Sequence, residues 1–224
     1  MRDHTVFTFV TASHREDVLQ RHLLRSQLFR MRTPIIQRGY TNVAKAYNDA
    51  RPRCKGLVVY LHHDVFLPVN FEVELMRSVI VITRRDPRWG VLGIAGCNLL
   101  PNGTQTFHGW LSDRGVVWKG RRTVLPHKVE TLDELLLITR GDFVFDEQLP
   151  ANHFYGADIC MQAQAQGRAC YAIRAFVTHN SGGHFGALPA DFEIAKTYFA
   201  AKWRDRLPIA TTCTIVGETP CLLF

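Results

Sequence analysis

Three residues capable of metal binding or acid–base chemistry follow directly after the most apolar segment of the chain. The run GLVVYL at 56–61 predicts a buried strand, and His62, His63 and Asp64 come next. Because side chains alternate along an extended strand, His62 and Asp64 can face one side while His63 faces the other. An imidazole and a carboxylate on one side can hold a divalent ion such as Mn²⁺. The alternative is a packed, hydrogen-bonded histidine at a strand end.

Two further polar clusters follow predicted strands. Thr11 and Ser13 come after the strand at 6–10, and the loop from His179 to His184 comes after the strand at 171–178. Ligands of open α/β sheets bind at the carboxyl ends of the strands, so the three clusters are expected to share one site. His179 can then supply a third metal ligand from another strand.

Several polar residues in the second half of the chain can have a structural or a functional role. Asp158 lies near the predicted start of a helix, where the helix dipole favours a carboxylate. It can equally act as a general base on a hydroxyl group. His153 and Tyr155, just upstream, can position a substrate or pack within a loop. The pair at 133–134, Asp-Glu, precedes a strand and is expected to be solvated.

The elements before residue 65 alternate between strand and helix, which is the pattern of a parallel sheet covered by helices. Ser13 is expected to cap the first helix, with Glu16 completing a capping box. The predicted order is a strand at 6–10, a helix at 18–28, a strand at 34–36, a helix at 42–50 and a strand at 56–61.

Beyond residue 65 the pattern is less regular. The segment 96–128 is rich in Gly, Asn and Thr and predicts only short strand-like pieces, and the last twenty residues have no clear period. Gly167 is expected to end a helix. The remaining predicted elements are helices at 71–82, 159–166 and 191–203 and strands at 89–95, 135–138 and 171–178.

Composition and charge limit the kind of protein and partner. The chain has 224 residues, 46% of them hydrophobic and 21% charged, as in one globular domain. The net charge of +7 favours an acidic partner. The cations are scattered, so we expect a phosphorylated small molecule rather than nucleic acid, and peripheral membrane association stays open.

The cysteines and the termini point to a cytoplasmic protein. The six cysteines have no CxxC spacing, which argues against zinc ribbons and redox centres. We expect no signal peptide, because the first seventeen residues are too polar, and no apolar run is long enough to cross a membrane. The final residues, Cys221 to Phe224, have the form of a prenylation box without a preceding polybasic segment.

Several weak motifs in a fixed order resemble the GT-A glycosyltransferases related to family 2. They are VYLHHDVFLP, TLDELLLITR, FDEQL, HFYGADICMQAQAQG and VTHNSGG, and the resemblance covers roughly residues 5 to 185. In that family the central strand usually ends in Asp-x-Asp, and one branch has His-x-Asp. The resemblance implies an α/β GT-A (Rossmann-like) fold, with a mixed, mostly parallel sheet and helices on both faces.

The resemblance also implies an organisation and a role for individual residues. It implies one catalytic domain over 1–224, with a nucleotide-sugar-binding half (1–95), an acceptor and catalytic half (96–185) and a C-terminal helix and tail (186–224). The implied roles are Thr11, Ser13, Asn42, Asn48 and His63 near the donor, His62, Asp64 and His179 on a metal, Asp158 as the catalytic acid residue, and His153, Tyr155 and His184 near the acceptor.

One departure from the family affects the base. Family 2 enzymes often have Glu-Asp two or three residues before an Asp like Asp158, whereas this chain has Tyr155 and Gly156 there. The base is therefore Asp158 itself or is missing. With a base present, the implied reaction is an inverting, single-displacement transfer of a sugar from a nucleotide-diphosphate donor, such as a UDP-sugar, to a hydroxyl group of a glycan or other acceptor. A divalent ion, Mn²⁺ or Mg²⁺, would neutralise charge on the leaving diphosphate.

Two other functions fit parts of the pattern. His62, Asp64 and His179 or His184 match the two-histidine, one-carboxylate ligand set of non-haem Fe(II) oxygenases. Those enzymes usually have all-β folds, which the strand–helix alternation disfavours. A nucleotide- or sugar-binding module that has lost its base is the second alternative, and the residues at 155–156 keep it open.

Overall fold

The described residues, 6–120, 126–182 and 188–217 of a computed structural model, form fifteen strands and six helices. The helices are α1 (Glu16–Arg21), α2 (Leu28–Met31), α3 (Val43–Ala50), α4 (Phe71–Arg85), α5 (Tyr155–Ala165) and α6 (Phe192–Lys202). The strands are β1 (Phe7–Ser13), β2 (Ile35–Arg38), β3 (Leu57–Leu61), β4 (Val65–Phe66), β5 (Val91–Gly93), β6 (Ala95–Leu99), β7 (Gln105–Asp113), β8 (Val116–Lys119), β9 (His127–Val129), β10 (Thr131–Leu132), β11 (Leu136–Thr139), β12 (Cys170–Ala172), β13 (Val177–His179), β14 (Ile209–Ala210) and β15 (Ile215–Val216).

A seven-stranded sheet in the order β2-β1-β3-β11-β5-β12-β9 forms the centre of the protein. Its first part is parallel, because helical crossovers join β1 to β2 and β2 to β3. Strand β11 then inserts antiparallel between β3 and β5. Strand β12 is parallel to β5 and antiparallel to β9. The predicted mixed α/β fold is confirmed, with parallel and antiparallel pairings equally represented in this sheet.

Helices cover both faces of the central sheet, as predicted. On one face, Tyr47 of α3 and Phe199 of α6 belong to a core that also contains most of α5. On the other face, Leu19 of α1 and Leu75 of α4 belong to a second core. All four of these side chains are buried, so each face of the sheet is closed by apolar packing.

A second, six-stranded sheet lies next to the central one, in the order β10-β6-β7-β13-β4, with β8 also paired to β7. Strand β3 belongs to the central sheet, whereas β4 belongs to the second. Only residues 62–64 separate these two strands. The tripeptide His62-His63-Asp64 therefore spans the junction of the two sheets.

Most of the second sheet was not predicted. The segment 96–128, expected to contain only short strand-like pieces, contributes most of β6, the nine-residue β7 and β8 to the second sheet, and the start of β9 to the central sheet. The last twenty residues include the hairpin β14–β15. Some pairings join distant segments, for example β10 with β6 and β13 with β7, and the local hairpins β6–β7 and β14–β15 lack regular apolar–polar alternation, so local periodicity gives little signal.

The predicted helix starts were partly wrong. Ser13 does not cap α1, because Ser13 belongs to β1 and Arg15 occupies the N-cap position without a side-chain cap. The single helix expected over 18–28 is divided into shorter turns. Helix α5 begins at Tyr155, four residues earlier than predicted, after Phe154 in a left-handed conformation (φ 64°). Gly167 ends α5 as predicted, with a φ of 69°.

Two of the predicted features concern residues outside the described ranges. They are His184, in 183–187, and the prenylation-like terminus, in 218–224. Within the described ranges, none of the helices has the length and apolar character needed to cross a bilayer.

Gly156 is predicted to be required for the packing of α5. A Cβ at this position would lie 2.7 Å from the backbone oxygen of Leu132 and 3.2 Å from Cγ of Glu134. Backbone cannot move aside cheaply, so Gly156→Ala should lower the free energy of unfolding by about 1–3 kcal/mol. Urea unfolding would measure the change. Gly182→Ala is the control, since a Cβ there would have no atom of the described residues within 4 Å. Equal stability of the two variants would contradict the prediction.

Candidate metal and nucleotide site

Three side chains converge at the junction of the two sheets. Nε2 of His179 lies 3.4 Å from Oδ1 of Asp64, and Nδ1 of His62 lies 4.0 Å from the same oxygen. One ligand atom from each of the three residues lies within 4.8 Å of the other two. The structure thus brings together the three residues that the sequence suggested as metal ligands.

Backbone and side-chain contacts fix these three residues in place. The backbone N–H of His62 donates to Leu135 O (3.1 Å), and its Nε2 lies 2.8 Å from the hydroxyl of Tyr155. The backbone oxygen of Asp64 accepts from both the backbone and the side chain of Asn180. Since Asn180 follows His179, this pair of hydrogen bonds ties the loop after β3 to the loop after β13.

The charges at this cluster favour a neutral imidazole beside an ionised carboxylate. Burial lowers the pKa of His62 to about 4, despite the opposing effect of Asp64. Burial would also lower the pKa of His179, but the neighbouring Asp64 carboxylate raises it above its ordinary value. Burial by itself would raise the pKa of Asp64, but the two histidines hold this pKa below the usual range.

The donor set fits a divalent cation. Oδ1 of Asp64 is buried and accepts no hydrogen bond from the described residues. A buried carboxylate oxygen without a partner is costly, and a cation would satisfy it. Two imidazole nitrogens stand beside it, and this mixture of ligands suits Mn²⁺, Fe²⁺ or Zn²⁺ as well as a more weakly held Mg²⁺.

An open cleft of about 180 Å³ adjoins the cluster on the side of His63. Nδ1 of His63 lies 2.8 Å from Oγ of Ser13, and its ring lies 5.1 Å from that of His14. The cleft is smaller than the roughly 300–1,000 Å³ of typical ligand sites, so a nucleotide sugar would extend beyond it. Its lining comprises Ala12, Ser13, His14, Gln37, Tyr40, Val43, Tyr47, His62, His63, Asp64, Asn152 and Tyr155.

Three of the predicted donor residues lie behind this lining. Thr11 is completely buried in β1. Asn42 caps α3 by accepting from Lys45 N, and its amide nitrogen donates to Glu147 O. Asn48 pairs with the backbone of Phe145 through both ends of its amide. The two asparagines thus hold the loop between β11 and α5 against α3.

Asp158 is held by contacts with the C-terminal helix. Its side chain is buried, and Oδ1 accepts from Nε1 of Trp203 (2.8 Å) and lies 2.7 Å from Nζ of Lys202. Oδ2 accepts from Gln162, also at 2.8 Å. Both oxygens are therefore engaged, and Asp158 is not part of the cleft lining. Its role as a base stays a prediction from the resemblance.

The residues predicted near an acceptor have separate environments. Tyr155 is buried and lies between His62 and the backbone oxygen of Glu134, to which its hydroxyl donates at 3.4 Å. It thus orients a candidate metal ligand. His153 instead lies 3.5 Å from Asp191 at the start of α6. His184, in 183–187, is outside the described residues.

Three carboxylates beside the cluster were missed by sequence reasoning. Oδ1 of Asp113 lies 3.6 Å from Nδ1 of His179. Asp133 raises the pKa of both His62 and His179 by its charge. Its two oxygens accept from Leu135 N and from the hydroxyl of Thr212. The expectation that the 133–134 pair is simply solvated was wrong, because the turn before β11 packs against His62.

Glu134 is the most perturbed of these acids. Burial raises its pKa well above the ordinary value, and the charge of Asp133 adds to this. Hydrogen bonds from the backbone N–H groups of Phe154 and Gly156, at the start of α5, lower the pKa of Glu134 but do not outweigh its burial. Cγ of Glu134 lies against Gly156, where a longer side chain would not fit. Glu134 thus places a carboxyl group at the N-terminus of α5.

The sequence matches the model of one protein family, described as "Glycosyltransferase like family", over residues 30–180. A curated protein of Fuscovulum blasticum, described as "ATP synthase subunits region ORF 6", is 33% identical over 163 residues. The match covers 70% of this chain and 64% of that protein, so the chain spans less than two thirds of its relative.

Solved structures with a similar fold include the S. aureus protein TarS. Its residues 1–349 in complex with UDP-GlcNAc match 88% of this chain and 66% of that one, with a TM-score of 0.51 and 13% identity. A second structure of TarS residues 1–349 matches 88% of this chain and 64% of that one, with a TM-score of 0.51 and 14% identity. At this level of identity the likeness concerns the fold, and it supports the GT-A arrangement.

Glu134 is predicted to make stability fall as the pH rises. The folded protein keeps the proton of Glu134 above the ordinary pKa of 4.5, where the unfolded chain has released it. The free energy of unfolding should therefore decrease from about pH 5 up to the raised pKa. Glu134→Gln should remove this loss, so its melting temperature relative to wild type should increase with pH.

The measurement is a melting-temperature series from pH 5 to pH 9 without metal or nucleotide. Glu193→Gln, at an exposed carboxylate of α6, is the control and should follow wild type. A difference between Glu134→Gln and wild type that does not change with pH would contradict the prediction.

Proposed function

This chain belongs to the glycosyltransferase-like family, and we propose that it transfers a sugar from a nucleotide-diphosphate donor to an acceptor hydroxyl group. The observation that carries the proposal is the convergence of His62, Asp64 and His179 beside the cleft at the ends of β1 and β3. Ligands of α/β sheets bind at such strand ends. A diphosphate bound there would also be favoured by the net charge of +7.

The donor is proposed to be a UDP-sugar. The cleft beside Ser13 and His63 offers hydroxyl and imidazole groups for a nucleoside, and TarS, which shares the fold, has been seen with UDP-GlcNAc. Thr11, Asn42 and Asn48 would act on the donor indirectly, by supporting the cleft wall. The division into a donor half (1–95), an acceptor half (96–185) and a C-terminal part (186–224) belongs to the same proposal, as does a cytoplasmic location.

His62, Asp64 and His179 would hold a divalent metal ion, with Mn²⁺ or Mg²⁺ as the proposed ions. The bound ion would supply neutralisation of the negative charge on the leaving diphosphate. Tyr155 orients the ring of His62, and Asp113 lies behind that of His179. Such partners of ligating histidines fix the ring orientation and raise the basicity of the coordinating nitrogen.

Two candidates compete for the base that accepts the proton of the acceptor hydroxyl. The resemblance names Asp158, whose oxygens are both engaged by Trp203, Lys202 and Gln162. Both oxygens of Asp133 are engaged as well, by Leu135 and Thr212, so the contacts favour Glu134 of the pair Asp133–Glu134. Glu134 precedes Leu135, whose oxygen accepts from His62 N–H, and its carboxyl group has a raised pKa. A base whose pKa approaches the working pH is the more effective one. With either, a single displacement would invert the anomeric centre.

The two alternative functions are less well supported. The confirmed α/β fold and the family argue against a non-haem Fe(II) oxygenase. A non-catalytic nucleotide- or sugar-binding module would need the same cleft but no base. Because two acidic residues stand beside the cluster, we favour the enzyme over the module.

Nucleotide and metal are predicted to stabilise the protein together. At a UDP concentration of 100 times its Kd, the gain is about 2.7 kcal/mol, which corresponds to about 5–10 °C in melting temperature. With Mn²⁺ present, wild type should show this shift, and Asp64→Asn should lose the metal-dependent part. Glu193→Gln, on an exposed carboxylate of α6, is the control. If no nucleotide or nucleotide sugar stabilises the wild-type protein with metal present, the proposal is wrong.

Substitutions are predicted to distinguish a general base at Asp133 or Glu134 from a structural carboxylate at Asp158. Asp133→Asn or Glu134→Gln should reduce transfer by about 10²- to 10⁴-fold, the usual contribution of a general base, while UDP binding is retained. Asp158→Asn should mainly lower the melting temperature, because it weakens the contacts to Lys202 and Trp203. Sugar-nucleotide turnover and UDP-induced thermal shifts measure the two effects. Normal transfer by both first variants, with complete loss in Asp158→Asn, would return the role to Asp158.

A further inference from the structure

The hairpin formed by β7 and β8 exposes apolar side chains that the proposed reaction does not use. Val116, Val117 and Trp118 are 49%, 60% and 46% exposed. Neighbouring residues of a strand point to opposite faces, so this part of β8 is exposed on both faces. Three consecutive exposed apolar residues in a strand are unusual in a soluble protein unless they serve binding.

The hairpin turn is tight and therefore presents these residues on a defined support. Asp113 pairs with Val116, leaving Arg114 and Gly115 as a two-residue turn. Both have positive φ values, 48° and 80°, which is the geometry that matches the twist of paired strands. The exposed apolar residues are thus held by an ordered hairpin.

The hairpin lies in a segment of positive net charge. From Arg114 to Lys128 the sequence contains five Lys and Arg residues and no Asp or Glu. Arg114, in the turn, is exposed and lies 4.0 Å from the carboxylate of Asp113. Exposed apolar residues that include a Trp, in a segment rich in Lys and Arg, match the boundary between acyl chains and anionic headgroups. Nucleic acid would use the cations but would gain little from two valines.

The hairpin lies close to the candidate metal site. Val116 pairs with Asp113, which in turn pairs with His179, so Val116 and His179 are two strand spacings apart, or about 10 Å. The backbone N–H of Arg114 donates to His179 O at 3.1 Å. A surface that binds the hairpin would therefore also lie near the site.

We propose that the β7–β8 hairpin docks this protein on an anionic membrane surface through Val116, Val117 and Trp118. The positive net charge of the segment 114–128 provides the electrostatic attraction, and the exposed apolar side chains enter the headgroup boundary. The consequence for the reaction rests on the proposed function: the acceptor would be a hydroxyl compound anchored in that lipid layer, which reaches the site from the side of His179.

The test is sedimentation of the full chain with vesicles of phosphatidylcholine alone or with 30% phosphatidylglycerol, at low and high salt. The protein is produced in bacteria, so that Cys221 carries no prenyl group. We expect at least 10-fold stronger binding to the anionic vesicles, weakened by salt. The variant Val116→Thr/Val117→Thr/Trp118→Ser should bind them at least 10-fold more weakly than wild type.

A matched control changes three apolar residues exposed elsewhere, Met31→Ser, Val69→Thr and Ile194→Ser, and should bind within twofold of wild type. Equal vesicle binding by the hairpin variant and wild type, or no binding by wild type, would overturn the proposal. The proposal would also be overturned if the hairpin variant kept vesicle binding but lost binding to single-stranded RNA. The same holds if it kept vesicle binding and lost only a dimer that light scattering detects in wild type.

Melting temperatures with UDP and Mn²⁺ separate this proposal from the proposed function. The hairpin variant should keep the shift of wild type, which also shows that it is folded. Vesicle binding without any nucleotide shift would leave the docking proposal standing while the glycosyltransferase proposal fails. A nucleotide-induced shift in melting temperature without vesicle binding would leave the glycosyltransferase proposal standing while the docking proposal fails.

Discussion

The burial of the Asp64 carboxylate between two imidazoles is the constraint on which the rest of the site depends. An ionised carboxylate is costly to bury unless its oxygens are satisfied, and among the described residues one oxygen has only His62 and His179 beside it. The arrangement requires the end of β3, in the central sheet, to meet the end of β13, in the second sheet. The hydrogen bonds of Asn180 to the backbone of Asp64 hold these two ends together.

The polar side chains around this junction fall into two groups, those that face the cleft and those that form hydrogen bonds or ion pairs within the fold. His63 and Ser13 face the open cleft, where a ligand can reach them. Asn42, Asn48 and Asp158 satisfy backbone groups and cations inside the fold. Residues of both groups carry chemistry that could serve a substrate. Their hydrogen-bond partners and their position relative to the cleft distinguish the two groups.

The sequence predicted the meeting of the ends of β1 and β3 better than the surroundings of Asp133 and Glu134, for a physical reason. The apolar run before His62 marks a buried strand by itself, and the strand–helix alternation places its end beside that of β1. The contacts of Asp133 and Glu134 depend instead on α5 and on the hairpin β14–β15, far away in sequence. No local pattern records such contacts. Strands β6, β7 and β9 were underestimated because their residues do not alternate regularly between apolar and polar, and because β7 and β9 also pair with the distant strands β13 and β12.

The hydrogen bond from Thr212 to Asp133 joins residues 79 positions apart in the chain. The same hairpin also receives support from the neighbouring strand, where the hydroxyl of Thr131 donates to Ala210 O. During synthesis on the ribosome, the strands that carry His62 and Asp64 emerge long before this hairpin does. The environment of Asp133 is therefore completed only when the hairpin has been made, so nascent chains in which the ends of β1 and β3 have formed would still lack the Thr212 contact to Asp133.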